Sequence, residues 1–135
     1  HSLVADDIVK VKLLSDHTPV GFCDDMCRGY MECRGIGIIN VEELFGIRFI
    51  GLEKRIDLVV TFLEDTHETE PDRTGLDRKT FELLGIDIPN MEIPLRPGRD
   101  MARLVEVAAM VQAARQLGHD SANDFNQKLL KKMNG

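Results

Sequence analysis

The sequence predicts a mixed α/β fold. Three observations lead there. Residues 8–14, 56–63 and 91–95 carry the alternation or the β-branched density of strands. Residues 101–117 and 121–133 carry the period of amphipathic helices. No internal repeat, low-complexity tract or linker breaks the 135 residues, which suit a single domain over 1–135.

Taken in order, Leu3-Val4-Ala5 reads as a short buried strand that delivers Asp6 and Asp7 at its end. In residues 8–14, Val9, Val11 and Leu13 alternate with Lys10 and Lys12, giving one buried and one wet face. Residues 16–19 read as a turn. Residues 34–39 are apolar and punctuated by Gly35 and Gly37, where the chain can take positive φ or approach other backbone closely. Asn40 reads as the N-cap of a short helix over residues 41–45, with Glu43 placed as in a capping box and Gly46 as its end. Residues 56–63 are apolar enough for a central strand. Residues 64–75 form an acid-rich loop with room for function. Residues 80–84 read as one or two helical turns stopped by Gly85, and Arg96-Pro97-Gly98-Arg99 as a turn carrying two cations.

The helix over residues 101–117 is expected to be well buried, through Met101, Leu104, Val105, Ala108 and Val111, with Val107 and Met110 as a second apolar edge. Gly118 follows its end. Ser121 reads as the cap of a last helix that turns Phe125, Leu129, Leu130 and Met133 inward. Lys128, Lys131 and Lys132 face outward, the later two suiting the helix dipole.

With 43% hydrophobic residues the chain can build a core, and a net charge of −6 argues against a nucleic-acid partner, which needs a basic surface. No apolar run approaches the roughly 18 residues of a membrane span. The start, His1-Ser2-Leu3, has no signal-peptide pattern and no initiating Met, so a processed product or a fragment is expected. Cys23, Cys27 and Cys33 lack the C-x2-C spacing of structural zinc and read as free thiols of a reducing cytoplasm, Cys23 and Cys27 able to share a helix face.

Four groups carry candidate chemistry. Asp6-Asp7 after an apolar strand suits an acid that binds Mg²⁺ or takes a proton from an attacking hydroxyl, and equally an exposed turn or cap. Glu32 suits a Mg²⁺ ligand facing Asp7, or a salt bridge to Arg28 or Arg34. Arg73 in the polar loop, and Arg96 with Arg99 around Pro97-Gly98, suit the clamping of phosphate or an ordinary solvated surface.

Several blocks, in order, resemble the HPr kinase/phosphorylase family. Leu3-Val4-Ala5-Asp6-Asp7 resembles the segment that follows that family's P-loop helix. Glu32-Cys33-Arg34-Gly35-Ile36-Gly37-Ile38-Ile39-Asn40-Val41 resembles the signature E-I-R-G-[LI]-G-I-I-[ND]-V, with Cys33 in the place of an aliphatic residue. Leu44-Phe45-Gly46 follows at the family's spacing, and Asp72-Arg73 falls at the catalytic-loop position. Ile93-Pro94-Leu95-Arg96-Pro97-Gly98-Arg99 and Val105-Glu106-Val107-Ala108-Ala109-Met110 resemble the last two blocks.

The resemblance implies a cytoplasmic enzyme that phosphorylates a serine of the phosphocarrier protein HPr with ATP or pyrophosphate and reverses this by phosphorolysis. It would control carbon metabolism and sugar-phosphotransferase transport. The resemblance implies Asp7 as acid/base, Glu32 as Mg²⁺ ligand, Arg73 as a catalytic residue steadying phosphoryl charge, and Asp6 as a lesser contact to metal or water. Arg96, Gly98 and Arg99 would bind phosphate in the region needed for dephosphorylation. It further implies a homohexamer and a P-loop kinase-like core similar to that of phosphoenolpyruvate carboxykinase.

The family's P-loop, G-x-x-x-x-G-K-[ST], has no match in these residues, nor has an upstream catalytic His. The expectation is therefore a domain truncated at its N-terminal side, with apolar surface exposed and no tight ATP binding of its own. The competing readings are a non-catalytic regulatory relic that binds HPr, and an unrelated acidic α/β binding domain.

Overall fold

The computed structural model describes residues 1–64 and 74–135. They form two compact units, one of residues 1–56 and 82–86, the other of residues 57–81 and 87–135.

In the first unit, strand β1 (Lys10–Leu13) pairs antiparallel with β2 (Pro19–Phe22), and β5 (Glu53–Arg55) pairs with the other edge of β2. The middle strand is the most buried, as a strand with two neighbours must be, and its Val20 is a core residue. A Cβ on Gly21 would meet Val9 Cγ1 at 3.1 Å, so the packing here is close. Lys12, opposite Val20, lies over the Phe22 ring and ends 2.8 Å from Glu53, so its stem runs across β2 toward β5. The β1–β2 turn is the one expected: Leu14 N–H donates to Thr18 C=O and Thr18 N–H to Asp16 Oδ1. Leu3 forms a single parallel bridge with Ile50 rather than the expected strand. Cys23 and Cys27 share no helix face, because residues 25–29 are turns closed on Asp24 C=O by Cys27 and Arg28 N–H.

Strands β3 (Tyr30–Cys33) and β4 (Gly37–Asn40) form an antiparallel hairpin. Helix α1 (Val41–Phe45) follows at once, capped by Asn40, whose side chain accepts Glu43 N–H at 3.2 Å, and ended by Gly46. A 3-10 turn over Ile47–Phe49 leads toward β5.

β6 (Val59–Glu64), β7 (Lys79–Leu83) and β8 (Ile86–Leu95), which apart from residues 82–86 belong to the second unit, take the order β6-β8-β7. β6 and β8 run parallel, Val59 opposite Asn90 through Glu64 opposite Leu95. Two expectations are corrected here. β6 stands at an edge of this sheet and β8 is central. Residues 80–84 are not helical: Leu84 (φ 49) and Gly85 (φ 79) both adopt positive φ, the pattern of a two-residue type I′ loop, and so close a hairpin between β7 and β8. That hairpin also begins the strand at Ile86, ahead of the expected 91.

Helix α2 (Met101–Gln116) is capped by Asp100, which accepts Arg103 N–H at 3.1 Å. Its expected inward stripe holds, with Ala108 buried and Met101, Leu104, Val105 and Val111 half-buried. The second edge does not, since Val107 and Met110 face outward. Helix α3 (Ser121–Asn134) is capped by Asp120 rather than Ser121. Phe125, Leu129, Leu130 and Met133 are exposed, Phe125 by 65%, whereas Ala122 and Asn126 are half-buried. The exposed apolar surface anticipated from the sequence is present, and among the described residues no large side chain is fully buried.

Candidate functional site

One candidate group, of carboxylates, is built in the first unit. Leu3 N–H donates to Phe49 C=O at 2.7 Å, and Gly51 N–H donates to Leu3 C=O at 2.8 Å. This pair of bonds fixes the backbone just ahead of the two aspartates. A Cβ on Gly51 would stand 3.1 Å from Val4 Cγ2, so glycine permits the approach. Three residues after Leu3, Asp6 Oδ2 accepts the backbone N–H of Glu32 at 2.9 Å. The Asp6-Asp7 pair and Glu32, 26 positions apart between Asp6 and Glu32, are thereby held to one another.

Glu32 lies opposite Ile38 on the exposed face of the β3–β4 hairpin. Arg28, one of its candidate salt-bridge partners, is taken by Asp25 at 2.7 Å. Among the described residues the Glu32 and Asp7 carboxylates make no ion pair. The hairpin turn needs its glycines: Gly35 has φ 85 and Gly37 φ 111, conformations an L side chain resists. The turn leaves Ile36 79% and Ile38 77% exposed. Cys33 is half-buried opposite Gly37 and, like Cys23 and Cys27, is a free thiol.

A separate candidate group, of cations, lies in the second unit, between β8 and α2. Arg99 N–H donates to Arg96 C=O at 3.3 Å, with Pro97 and Gly98 (φ 78) between them, the residue pattern of a type II turn. Two exposed cations thus leave a short turn that runs directly into the first turn of α2, whose N–H groups add positive partial charge. Asp7 and Glu32 therefore belong to one unit, where Asp6 is bonded to the Glu32 backbone, and Arg96, Gly98 and Arg99 belong to the other. Arg73 lies outside the described residues.

A cluster that the sequence did not single out joins the ends of α2 and α3. Arg78 Nη2 donates to both oxygens of Asp120, at 2.8 and 2.7 Å. Arg115 Nε stands 3.9 Å from Asp120 Oδ1, and its Nη2 reaches Gly75 C=O at 3.5 Å. The Asn123 N–H, and after it Arg78, hold the Asp120 carboxyl below the usual carboxylate range. Burial, with Arg78 nearby, lowers Arg115, a group that stays charged in any case. Among the described residues these side chains line an open cleft of about 920 Å³ together with Lys79, Glu92 and Gln112. The one signal in the sequence was Asp120 immediately before a helical run.

Comparison with known proteins follows this geometry. The family profile described as the HPr Serine kinase C-terminal domain matches residues 1–129. The chain is 42% identical over 131 residues to the HPr kinase/phosphorylase of Leptospira biflexa, covering 96% of this chain and 41% of the relative. It is 39% identical over 133 residues to that of Geobacter sulfurreducens, covering 98% of this chain and 42% of the relative. It spans about two-fifths of the length of these curated relatives. The solved structure of the Hpr(Ser) kinase/phosphatase from Coxiella burnetii superposes with a TM-score of 0.78 at 28% identity, covering 93% of this chain and 76% of that one. The α/β arrangement is thus that of a solved HPr kinase, and the chain belongs to the HPr Serine kinase C-terminal domain family.

Proposed function

We propose that this chain supplies the acid/base and charge-handling residues of a kinase/phosphorylase acting on a serine of the phosphocarrier protein HPr. The observation that supports the reading is the bond from Glu32 N–H to Asp6 Oδ2, which ties the residue before Asp7 to the backbone of Glu32. In the forward direction, Asp7 takes the proton of the serine hydroxyl as its oxygen attacks the terminal phosphorus of ATP or pyrophosphate. ADP or phosphate then leaves. In reverse, inorganic phosphate attacks the phosphoserine, the serine oxygen leaves with the proton held by Asp7, and pyrophosphate is released. One carboxylate serves both directions because base forwards is acid backwards. Such transfer needs alignment and positive charge more than covalent help from the protein.

The donors at this corner are carboxylates, the chemistry of Mg²⁺, which takes one or two protein oxygens and completes its shell with phosphate and water. Glu32 would hold it, with Asp6 as a further contact through its remaining oxygen. Bound there, the ion supplies charge neutralisation on the phosphoryl oxygens. Arg73 steadies the transferred group, and Arg96, Gly98 and Arg99 receive phosphate for the reverse reaction. The phosphate cradle comes from sequence beyond these residues, in a core like that of phosphoenolpyruvate carboxykinase. The protein acts in the cytoplasm as a homohexamer and serves control of carbon metabolism and sugar-phosphotransferase transport. Among the described residues no helix is long and apolar enough to cross a membrane.

The test is phosphate transfer to purified HPr by the intact protein with Mg²⁺ and ATP or pyrophosphate. Asp7→Ala is expected to lower the rate by roughly 10²–10⁴-fold, the usual contribution of a positioned proton acceptor. An intact protein that binds HPr but transfers nothing would instead make it a regulatory relic.

A further inference from the structure

We propose that the cleft at the C-terminal end of α2 is a binding site for a small carboxylic acid with an apolar body, whose carboxylate is received by Gln112 and Arg115. This cleft takes no part in the phosphoryl transfer proposed above, and neither reading depends on the other.

The cleft lies wholly within the second unit. Its volume of about 920 Å³ is that of a small-molecule site. Leu63, Met91 and Ile93 give it an apolar surface. Gln112 and Arg115, three positions apart on one face of α2, give it a polar wall.

The fold leaves that wall unsatisfied. Gln112 is only 8% exposed, yet among the described residues its amide makes no hydrogen bond. Burying an amide without a partner is costly, so such a group calls for a reason. Arg115 Nε is also buried without a partner, since Asp120 Oδ1, at 3.9 Å, is too far for a hydrogen bond.

The charges point to the class of ligand. Lys79 is matched by Glu92 at 2.8 Å. Arg78 takes both oxygens of Asp120, which leaves one carboxylate between two guanidinium groups. Asp77, the third carboxylate of the lining, is exposed and is not among the charges felt by Arg115. An anion beside Arg115 relieves its repulsion from Arg78 and accepts the Gln112 N–H. A single negative charge suffices, and a phosphate dianion would meet Asp120 and Glu92 in the same cleft.

The probe is hexanoate, titrated into the intact protein by calorimetry. Half-saturation is expected at roughly 1 mM or below. Hexanamide, the same body without the charge, should bind roughly tenfold more weakly, and inorganic phosphate should not displace hexanoate. Gln112→Leu keeps the bulk and removes the amide. It should melt no lower than wild type and bind hexanoate roughly tenfold more weakly. Gln112→Glu keeps the shape and adds a repelling charge, and should abolish binding. The proposal is overturned by a wild type that does not bind, by equal binding of hexanoate and hexanamide, or by displacement with phosphate. Undiminished binding in the two variants overturns it as well. So does a Gln112→Leu protein that melts well below wild type, since the amide would then be meeting a structural partner.

Discussion

Asp6 and Asp120 each accept a backbone N–H, yet the two regions built around them use negative charge in opposite ways. Asp6 takes the N–H of Glu32 and ties the N-terminal segment to a hairpin far along the chain. Its neighbours Asp7 and Glu32 keep exposed carboxylates with no ion pair among the described residues. Asp120 takes the N–H of Asn123, three positions on, and its charge is matched by Arg78 with Arg115 alongside. A charge left uncompensated can meet a proton or a cation, whereas a compensated one can only hold structure in place. The contrast is between a carboxylate pair left open to ligands and a carboxylate committed to structure.

The sharpest way to break this comparison is Asp6→Ala. The bond it removes is exposed, so the fold should survive, while phosphate transfer to HPr should slow by about tenfold or more as Asp7 and Glu32 lose their common alignment. A full rate in a folded Asp6→Ala protein would show that the tether plays no part in the site. A smaller effect is expected from Gly37→Ala. No atom lies within 4 Å of the added Cβ, so the whole cost is that of the φ 111 backbone, about 1–2 kcal/mol, visible as a lowered melting temperature. An unchanged melt would mean the hairpin turn relaxes freely.

The smallest effect concerns acid. The folded-state pKa of Asp120 is lowered relative to the unfolded chain, so its contribution to stability is fully present above the unfolded value of about 3.9 and is lost as the pH falls through the lower folded value. Asp120→Asn and wild type should therefore differ at neutral pH and converge in acid below about pH 4, with salt shrinking the difference. A difference that stays constant with pH would assign the stability to shape rather than charge.

Much of this was legible in local chemistry. Asn40, Glu43 and Gly46 announce α1 because caps and stops act within one turn of chain, and the alternation of Val9 to Leu13 announces β1 for the same reason. What needed partners was not legible. β5 is Glu53-Lys54-Arg55, three charged residues that form a strand because β2 offers them an edge. Residues 80–84 lack a helix for the same kind of reason, since the Leu84-Gly85 loop commits them to β8. The inward face expected on α3 is exposed, because amphipathicity tells which side is apolar and not whether anything covers it. For the candidate site, the family blocks point to Asp7 and Glu32. The bond that the structure adds is made by Asp6, whose partner is the Glu32 backbone N–H, which no side-chain pattern marks.

The loop at Leu84 and Gly85 also bears on the order in which the sheet of β6, β7 and β8 assembles. A hairpin closed by two residues is a local event of about 1–10 μs. The parallel pairing of Val59 with Asn90 must first close a much longer stretch of chain, which is slower and gains nothing until β8 is straight enough to accept it. The β7–β8 hairpin is therefore expected to form first and present a ready edge to β6, so that substitutions in the loop slow folding while those in β6 chiefly hasten unfolding.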